Sequence, residues 1–379
     1  MAIILMAATL VLAFAMTSAA QTNKFPEFKE TFKRELAAEG IAGGSFVFLR
    51  DGKPLAEDHY GFANIEKKQP VNADTIYHWA SNTKPFTGIA IMQLRDRGLL
   101  KLDDPVTKYL PELRGVHNKF GSMDEITIRH LMTHSSGFRG STWPWDKGES
   151  WEPFEPTEYS QLAAMFPFTE ILFKPGSKFS YSNPGIIFLG RIIEKLTGDD
   201  YEVYVDKNIL KPLGMHRSYF DATPYHLLKD RSHSYYMREG KRSEGRFDVN
   251  TGITVSNSGL NSPISDMVKY LNFLTGSGAK AVNDGVLKRS SLEEMWQPQL
   301  PAPTDANGNP GFTTDVGLIY FVDKRDGRTF IGHGGDQNGF ISYIDLEPAS
   351  RSASVIVFNT DVAGGEVYTR LRKRVRMLF

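Results

Sequence analysis

The sequence predicts an α/β (α+β) sandwich in which one antiparallel sheet is assembled from both ends of the chain, with a helical region inserted between them. Two observations support this prediction. Strand-like segments separated by turn residues occur near both ends, and mainly helical patterns fill residues 81 to about 278. Distant strands form one sheet if the helical middle packs beside it, and a site can then lie in the crevice between the two parts.

The first predicted elements are a helix and an antiparallel strand pair. Residues 28–38 carry apolar side chains near helical spacing. Residues 43–49 and 55–63 then flank Arg50-Asp51-Gly52-Lys53, and Asp-Gly between two strand-like runs is a strong hairpin signal.

The middle and the end of the chain differ in pattern. Helices are predicted at residues 85–99, 126–132, 159–164, 185–196 and 265–274. Strands are predicted at residues 314–322, 329–332, 340–346 and 352–358, followed by a basic closing helix at 364–378.

Composition excludes several classes of protein. The 379 residues contain 44 basic and 44 acidic side chains, so the zero net charge gives no reason to expect a nucleic acid or an obligatory membrane partner. The chain has no cysteine and therefore no disulfide. Its length suffices to bury a core without such links.

Residues 1–20 carry no charged side chain and end in Ser18-Ala19-Ala20, small residues that a signal peptidase accepts. We interpret this segment as a secretory signal peptide, which predicts a periplasmic or secreted mature protein that starts at Gln21. The alternative is a retained N-terminal membrane anchor.

A Ser-x-x-Lys motif at Ser81 and Lys84 comes directly before a strong helical pattern. Positions three apart share a helix face, so the lysine amine would lie beside the serine hydroxyl. A lysine can activate a serine if burial lowers its pKa from about 10.4. The same spacing recurs at Ser277 and Lys280 in a glycine-rich stretch. An N-cap serine followed by a surface lysine is the alternative at Ser81.

Two further motifs carry possible chemistry. In Tyr181-Ser182-Asn183 the phenol can relay a proton and the Asn183 amide can contact a substrate, although a core tyrosine and a capping asparagine would look the same. In His333-Gly334-Gly335-Asp336, at the end of a strand-like run, the glycines permit close approach of a ligand and the backbone N–H groups can form half of an oxyanion hole. A simple hairpin turn is the alternative there.

The order of these three motifs resembles that of the serine β-lactamase and penicillin-binding protein superfamily. Blocks at residues 74–110, 126–137, 210–215 and 259–267 are also similar, and the resemblance covers roughly residues 30–375. The tyrosine of the second motif points to the class C β-lactamase branch, with its esterase and D-aminopeptidase relatives. The resemblance implies that branch's sandwich, with terminal helices on the sheet. It places a sheet subdomain at about residues 21–80 and 300–379 and an all-helical subdomain at about 81–299.

The resemblance implies a role for each matching residue. It makes Ser81 the nucleophile, Lys84 the lysine that shares its proton, and Tyr181 the proton relay. It implies substrate contacts from Asn183, His333, Gly334, Gly335 and Asp336. The N–H groups of Ser81 and Asp336 would form the oxyanion hole.

The chain departs from the family pattern at His333-Gly334, where β-lactamases have Lys-Thr. An imidazole that is neutral above about pH 6.5 should bind a carboxylate less well than an ammonium does. This favours ester substrates or amides without a carboxylate. A D-amino-acid or peptidoglycan peptidase, a weak β-lactamase and a non-enzymatic acylatable sensor remain alternatives.

Other sites are not supported. The loop at residues 139–156, with Trp143, Trp145, Trp151 and Phe154, either provides an apolar substrate pocket or packs on the helical part. His130 and His134 share a helix face, but the zinc-protease glutamate is missing, so we interpret them as structural. We expect no cofactor and no metal, and a small-molecule ester or amide substrate. The oligomeric state stays open.

Overall fold

The computed structural model describes residues 24–138, 156–245, 251–304 and 311–379. The predicted signal peptide and the four aromatic residues of the 139–156 loop lie outside these described residues. No helix within the described ranges is both long and apolar enough to cross a membrane.

Long strands lie near both ends of the chain and helices dominate the middle, as the sequence patterns predict. The strands are β1 (Gly43–Arg50), β2 (Lys53–Asn64), β3 (Gln69–Pro70), β4 (Ile76–His78), β5 (Tyr219–Phe220), β6 (Tyr235–Arg238), β7 (Lys241–Glu244), β8 (Leu260–Pro263), β9 (Leu300–Pro301), β10 (Asp315–Val316), β11 (Phe321–Arg325), β12 (Arg328–Gln337), β13 (Phe340–Glu347), β14 (Ser352–Phe358) and β15 (Thr360–Val362). The α-helices are α1 (Lys24–Ala38), α2 (Lys84–Asp96), α3 (Ile128–Met132), α4 (Tyr159–Ala164), α5 (Asn183–Thr197), α6 (Tyr201–Val205), α7 (Val255–Ser258), α8 (Ile264–Thr275), α9 (Lys280–Val286), α10 (Arg289–Met295) and α11 (Glu366–Arg376). Short 3₁₀ segments lie at Ala80–Thr83, Val106–Lys108, Pro111–Gly115, Met123–Glu125, Phe166–Phe168, Tyr225–Asp230 and Gly252–Thr254, and a π-helical turn at Asp206–Leu210.

The central sheet joins the two ends of the chain. Within the described residues its order is β3-β2-β1-β14-β13-β12-β11-β10-β9, and neighbouring strands are antiparallel. The contact between β1 and β14 closes the sheet across more than 300 residues of sequence, with Gly44 opposite Phe358. The predicted assembly of one sheet from distant segments is confirmed.

Both faces of the sheet are covered. On one face α1 and α11 pack with the sheet around an aromatic core, in which the rings of Phe28 and Phe46 meet edge to face at 4.7 Å. On the other face the helical region forms the larger core around α2, α5 and α8. Two covered faces explain why every residue of β14 is buried rather than every second one.

The inserted region contains short strands as well as helices. Strand β8 lies between β4 and β5 in a small antiparallel sheet, and β6 pairs with β7 and, in parallel, with β15. The "all-helical" description of this region is therefore too simple. Strands of two to four residues carry too little alternation to be separated from loops in sequence.

The single strand predicted at residues 314–322 is wrong, because the segment divides into β10 and the start of β11. Between them, the N–H of Leu318 donates to Met295 at 2.9 Å and the N–H of Ile319 donates to Met132 at 2.7 Å. Ile319 adopts a positive φ of 73° to do so. The backbone donors of this apolar stretch thus serve the helical region, not the sheet.

Candidate active site

Ser81 lies on a rigid turn between β4 and α2. Ala80 holds a φ of +48°, which turns the chain out of β4. The N–H of Trp79 donates to the carbonyl of Leu260 at 2.8 Å, and the N–H of Leu260 donates to Thr83 Oγ1 at 3.0 Å. Strand β8 therefore holds the segment on both sides of Ser81.

Lys84 begins α2, and its side chain is fully buried. Its Nζ lies 2.8 Å from Ser81 Oγ and 3.0 Å from the carbonyl oxygen of Asn257. Burial holds the pKa of the Lys84 amine well below its usual value of 10.5. A neutral amine has two hydrogens and one lone pair. If one hydrogen goes to Asn257, the lone pair can accept the proton of Ser81.

Tyr181 lies on the other side of Ser81, directly before α5. Its hydroxyl hydrogen-bonds Ser81, and its ring centroid is 4.9 Å from Lys84 Nζ. Burial raises the pKa of the Tyr181 phenol well above its usual value, although the bond to Ser81 acts in the opposite direction. Both shifts favour the uncharged forms, an amine and a phenol, over an ammonium and a phenolate.

His134 fixes the ring of Tyr181, a contact that sequence reasoning missed. The two rings stack with centroids 4.4 Å apart and an interplanar angle of 27°. His134 Nδ1 accepts the N–H of Ser182 at 3.0 Å, so the neutral ring carries its proton on Nε2. His130, by contrast, accepts the N–H of Thr127 at 3.2 Å at the start of α3. Spacing alone could not separate these two histidines.

Asn183 is the first residue of α5, and the helix is capped by its neighbour. Ser182 Oγ accepts the N–H of Gly185 at 3.2 Å, so Asn183 is not the capping residue that the alternative interpretation required. The side-chain oxygen of Asn183 is buried and has no hydrogen-bond partner within the described part of the chain. This oxygen is thus left for another contact.

The backbone of β12 presents a free edge beside Ser81. Two-residue turns flank the strand, with φ of 52° and 73° at Asp326-Gly327 and 52° and 80° at Asn338-Gly339. Such turns are closed by a hydrogen-bonded residue pair, which here joins Arg325 to Arg328 and Gln337 to Phe340. The direction of the N–H groups alternates along the strand from these pairs. Gly334 and Asp336 therefore direct their N–H groups away from β13, as the oxyanion-hole prediction requires of Asp336.

No described strand covers those N–H groups, because β11 pairs with β12 only as far as Phe321 opposite Gly332. The Ser81 turn packs there instead. A Cβ on Gly335 would lie 2.2 Å from the carbonyl oxygen of Trp79, so only glycine permits this approach. The motif therefore lies inside a strand, and the hairpin-turn alternative is wrong; the turn follows at Asn338.

The ring of His333 is buried, with 2% exposure, and lies next to the aromatic rings of Tyr181 and Phe321. Its Nδ1 lies 2.7 Å from the carbonyl oxygen of Gly334, so the ring proton is on Nδ1. Burial, followed by the nearby Lys84, lowers the pKa of His333 to about 3. Its ring centroid is 5.0 Å from that of Phe321. The ring is therefore neutral, and this position provides no cation.

The structure thus brings Ser81, Lys84, Tyr181 and the β12 edge into one place. A hydroxyl lies between a buried amine and a phenol, next to outward-facing N–H groups, which is the arrangement that acyl transfer needs. Among the described residues no group of His, Asp and Glu side chains is suited to hold a metal ion. A cavity of about 670 Å³ beside Ser256 contains none of the motif residues.

Comparison with known proteins gives a consistent result. The profile of the β-lactamase family matches residues 28–376. The chain is 26% identical to Protein flp of Staphylococcus aureus over 86% of this chain and 61% of that protein. It is 33% identical to esterase EstB of Burkholderia gladioli over 52% of this chain and 53% of that protein. In each case the chain spans less than two thirds of the relative's length.

Among solved structures, a class C β-lactamase superposes with a TM-score of 0.74 at 22% identity, over 94% of this chain and 97% of that one. At this identity the likeness concerns the fold. It matches the sandwich with an inserted region described above.

Proposed function

The chain belongs to the β-lactamase family of serine hydrolases, and from this premise we propose that it forms an acyl-enzyme on Ser81 and hydrolyses carboxylic esters. The family and the fold are those that the order of the motifs predicted. The roles of individual residues and the choice of substrate are our proposal.

The observation that carries the proposal is the buried Lys84 amine 2.8 Å from Ser81 Oγ. An N-cap serine followed by a surface lysine, the alternative interpretation, would leave the amine in water. Burial of a lysine costs free energy unless the group is neutral. A neutral amine next to a hydroxyl is a general base in position.

In the first step Lys84 accepts the proton of Ser81, and Ser81 Oγ forms a bond to the carbonyl carbon of the ester. The carbonyl π electrons move to oxygen. The N–H groups of Ser81 and Asp336 stabilise this oxyanion, because both are fixed before the reaction begins.

In the second step the tetrahedral intermediate collapses and the bond to the alcohol oxygen breaks. Tyr181, which rests as a phenol, donates its proton to the departing alkoxide and regains one from the protonated Lys84. Water then attacks the acyl group in the reverse sense, with the Lys84–Tyr181 pair taking its proton, and Ser81 is released with the acid.

The neutral His333 supports ester substrates over β-lactams. A carboxylate on the substrate would find no ammonium at this position, so its desolvation would not be offset by an ion pair. The similarity to esterase EstB favours the same preference.

A substrate panel tests the proposal. We expect p-nitrophenyl butyrate to be hydrolysed faster than nitrocefin or D-amino-acid anilides, and Ser81→Ala to abolish that hydrolysis. Ser277→Ala is the matched control, because Ser277 belongs to the second Ser-x-x-Lys and hydrogen-bonds Thr275 and Arg351 instead of a lysine. Full activity in Ser81→Ala would refute the acyl-enzyme proposal. A burst of p-nitrophenol without turnover would instead support an acylatable sensor.

A further inference from the structure

A buried imidazole that the proposed reaction does not use lies between the two oxyanion-hole segments. His78 ends β4, three residues before Ser81, and is 3% exposed. Its Nε2 lies 3.0 Å from the side-chain amide oxygen of Gln337, which follows Asp336. Its Nδ1 lies 3.1 Å from the side-chain oxygen of Asn261.

The hydrogen bonds of Asn261 determine which atom donates and which accepts in each hydrogen bond of His78. The Asn261 amide nitrogen donates to the carbonyls of Asp221 and Gly259, each at 3.3 Å, so its oxygen must accept from His78 Nδ1. Burial, followed by Arg231, lowers the pKa of His78 to about 4 and keeps the ring neutral. Nε2 is then an acceptor. Rotation of the Gln337 side-chain amide by 180° exchanges its oxygen and nitrogen, so that its N–H donates to Nε2.

These contacts join two separate strands. Asn261 lies opposite His78 in the β4–β8 pair, which holds the chain leading to Ser81. Gln337 closes the turn at the end of β12, one residue after the N–H of Asp336. A single ring therefore ties the segment of one oxyanion-hole N–H to the segment of the other.

A second contact ties the Ser81 turn to the neighbouring strand of the same sheet. The amide nitrogen of Asn82 donates to Ser342 Oγ at 2.8 Å, which ties the Ser81 turn to β13. The Asn82 contact lies after Ser81 and the His78 contact lies before it. The turn is thus fixed to the sheet at both of its ends.

We propose, building on the proposed function, that His78 is a positioning residue that holds the N–H of Asp336 in register with the N–H of Ser81. An oxyanion between two donors is stabilised only if both lie at hydrogen-bonding distance from one point. A substrate can still bind in the ground state when one donor has moved. Loss of the contact should therefore lower kcat and leave KM nearly unchanged.

The test compares Gln337→Met with the wild type, since Gln337 is only half-buried and its loss leaves the core intact. We expect kcat for p-nitrophenyl butyrate to fall about 10- to 100-fold, with KM within about threefold. The Ki of phenylboronic acid, which forms a tetrahedral adduct on a serine, should rise by the same factor. His78→Phe should behave alike.

Two further variants separate positioning from a general loss of structure. Gln337→Glu places a carboxylate beside Nε2. This charge favours a second proton on the His78 ring, which can then donate to the carboxylate, so the variant should keep most of the wild-type kcat. Gln299→Met removes a similar amide that bonds Arg129 and Gln297, and it should leave kcat unchanged.

Each outcome decides the inference. If the wild type hydrolyses the ester and Ser81→Ala does not, the proposed function stands. If Gln337→Met and His78→Phe then keep kcat and the boronate Ki within twofold of the wild type, the role of His78 is refuted. If the wild type hydrolyses none of the substrates, the proposed function falls and this inference falls with it.

Discussion

Two buried ionisable side chains in this protein differ in the charge of their hydrogen-bonding partners. Asp345 on β13 is 1% exposed, and its carboxylate accepts hydrogen bonds from Arg372 at 2.8 and 2.9 Å and from Arg376 at 2.5 and 3.1 Å. Lys84 is buried at least as deeply, yet its partners are a hydroxyl and a carbonyl oxygen.

The difference in partners decides the charge of each group. The two arginines hold the pKa of Asp345 at about 2, so it stays ionised despite burial. Among the described residues no carboxylate pairs with Lys84, and burial lowers the pKa of its amine. Burial with a counter-charge therefore keeps a group ionised, whereas burial without one favours its neutral form.

The largest expected effect comes from removing the unpaired amine. Lys84→Met should lower kcat/KM for p-nitrophenyl butyrate by about 10³-fold, the contribution typical of a general base. The variant should also be more stable to urea at neutral pH, because it buries no amine. Lys280→Met, at the exposed lysine of the second motif, is the matched control and should change neither quantity.

The pH dependence of stability sharpens this prediction. The folded-state pKa of Lys84 lies below the unfolded value of 10.5, so the unfolded chain binds more protons between these two values. The free energy of unfolding should therefore gain a contribution as pH rises through that window, and Lys84→Met should lack it. Equal pH dependence in the two proteins would show that Lys84 is charged when folded.

The second effect concerns the paired carboxylate. Asp345→Asn removes the shared carboxylate of two guanidinium groups whose side chains are only 11% exposed, and Arg376 keeps Asp323 as a second partner. The substitution should lower the free energy of unfolding by about 3–5 kcal/mol, with kcat within about threefold of the wild type. Asp199→Asn breaks the exposed pair with Lys207 and should cost less than about 1 kcal/mol. Urea unfolding of both variants measures the difference.

Acidification provides an independent check of the same carboxylate. Its folded pKa of about 2 lies below the unfolded value of 3.8, so its contribution is complete above pH 3.8 and disappears as pH falls through 2. The stabilities of the wild type and Asp345→Asn should converge over that interval. A constant difference would contradict the assignment.

The smallest expected effect comes from removing the His134 ring that stacks on Tyr181. His134 has a positive φ of 53°, which asparagine tolerates, and an asparagine oxygen can replace Nδ1 as acceptor for Ser182. His134→Asn should therefore fold but release the tyrosine ring, lowering kcat about tenfold. His130→Asn keeps the bond to Thr127 and should have no effect on kcat. Equal losses in both variants would make His134 merely structural.

Much of the fold followed from local chemistry in the sequence. The Asp51-Gly52 signal lies in the observed turn, with φ of 49° and 78°, and the helix predicted at residues 159–164 has those same bounds. The predicted strand at residues 329–332 proved too short. β12 continues through His333-Gly334-Gly335 because β13 pairs with the glycines, and strand propensity contains no information about that partner.

The proximity of Ser81, Lys84 and Tyr181 was predictable from residue type and motif order, and the structure places them together. The contacts of His78 and His134 were not predicted, because they join residues that are 259 and 48 positions apart in the sequence. A histidine in a strand or helix pattern looks the same whether its ring faces water, core or a neighbouring catalytic group.

The close approach of Gly335 to Trp79 sets a boundary for anyone who wishes to evolve new substrate specificity in this protein. Position 335 should accept no other amino acid in a library, since a Cβ would collide with backbone. At position 334 a Cβ would meet the ring of Tyr343 at 3.2 Å, and a ring can yield by a few tenths of an ångström. Diversity is therefore better placed at 334, where a side chain can reshape the β12 edge beside Ser81 without displacing the turn that carries Ser81.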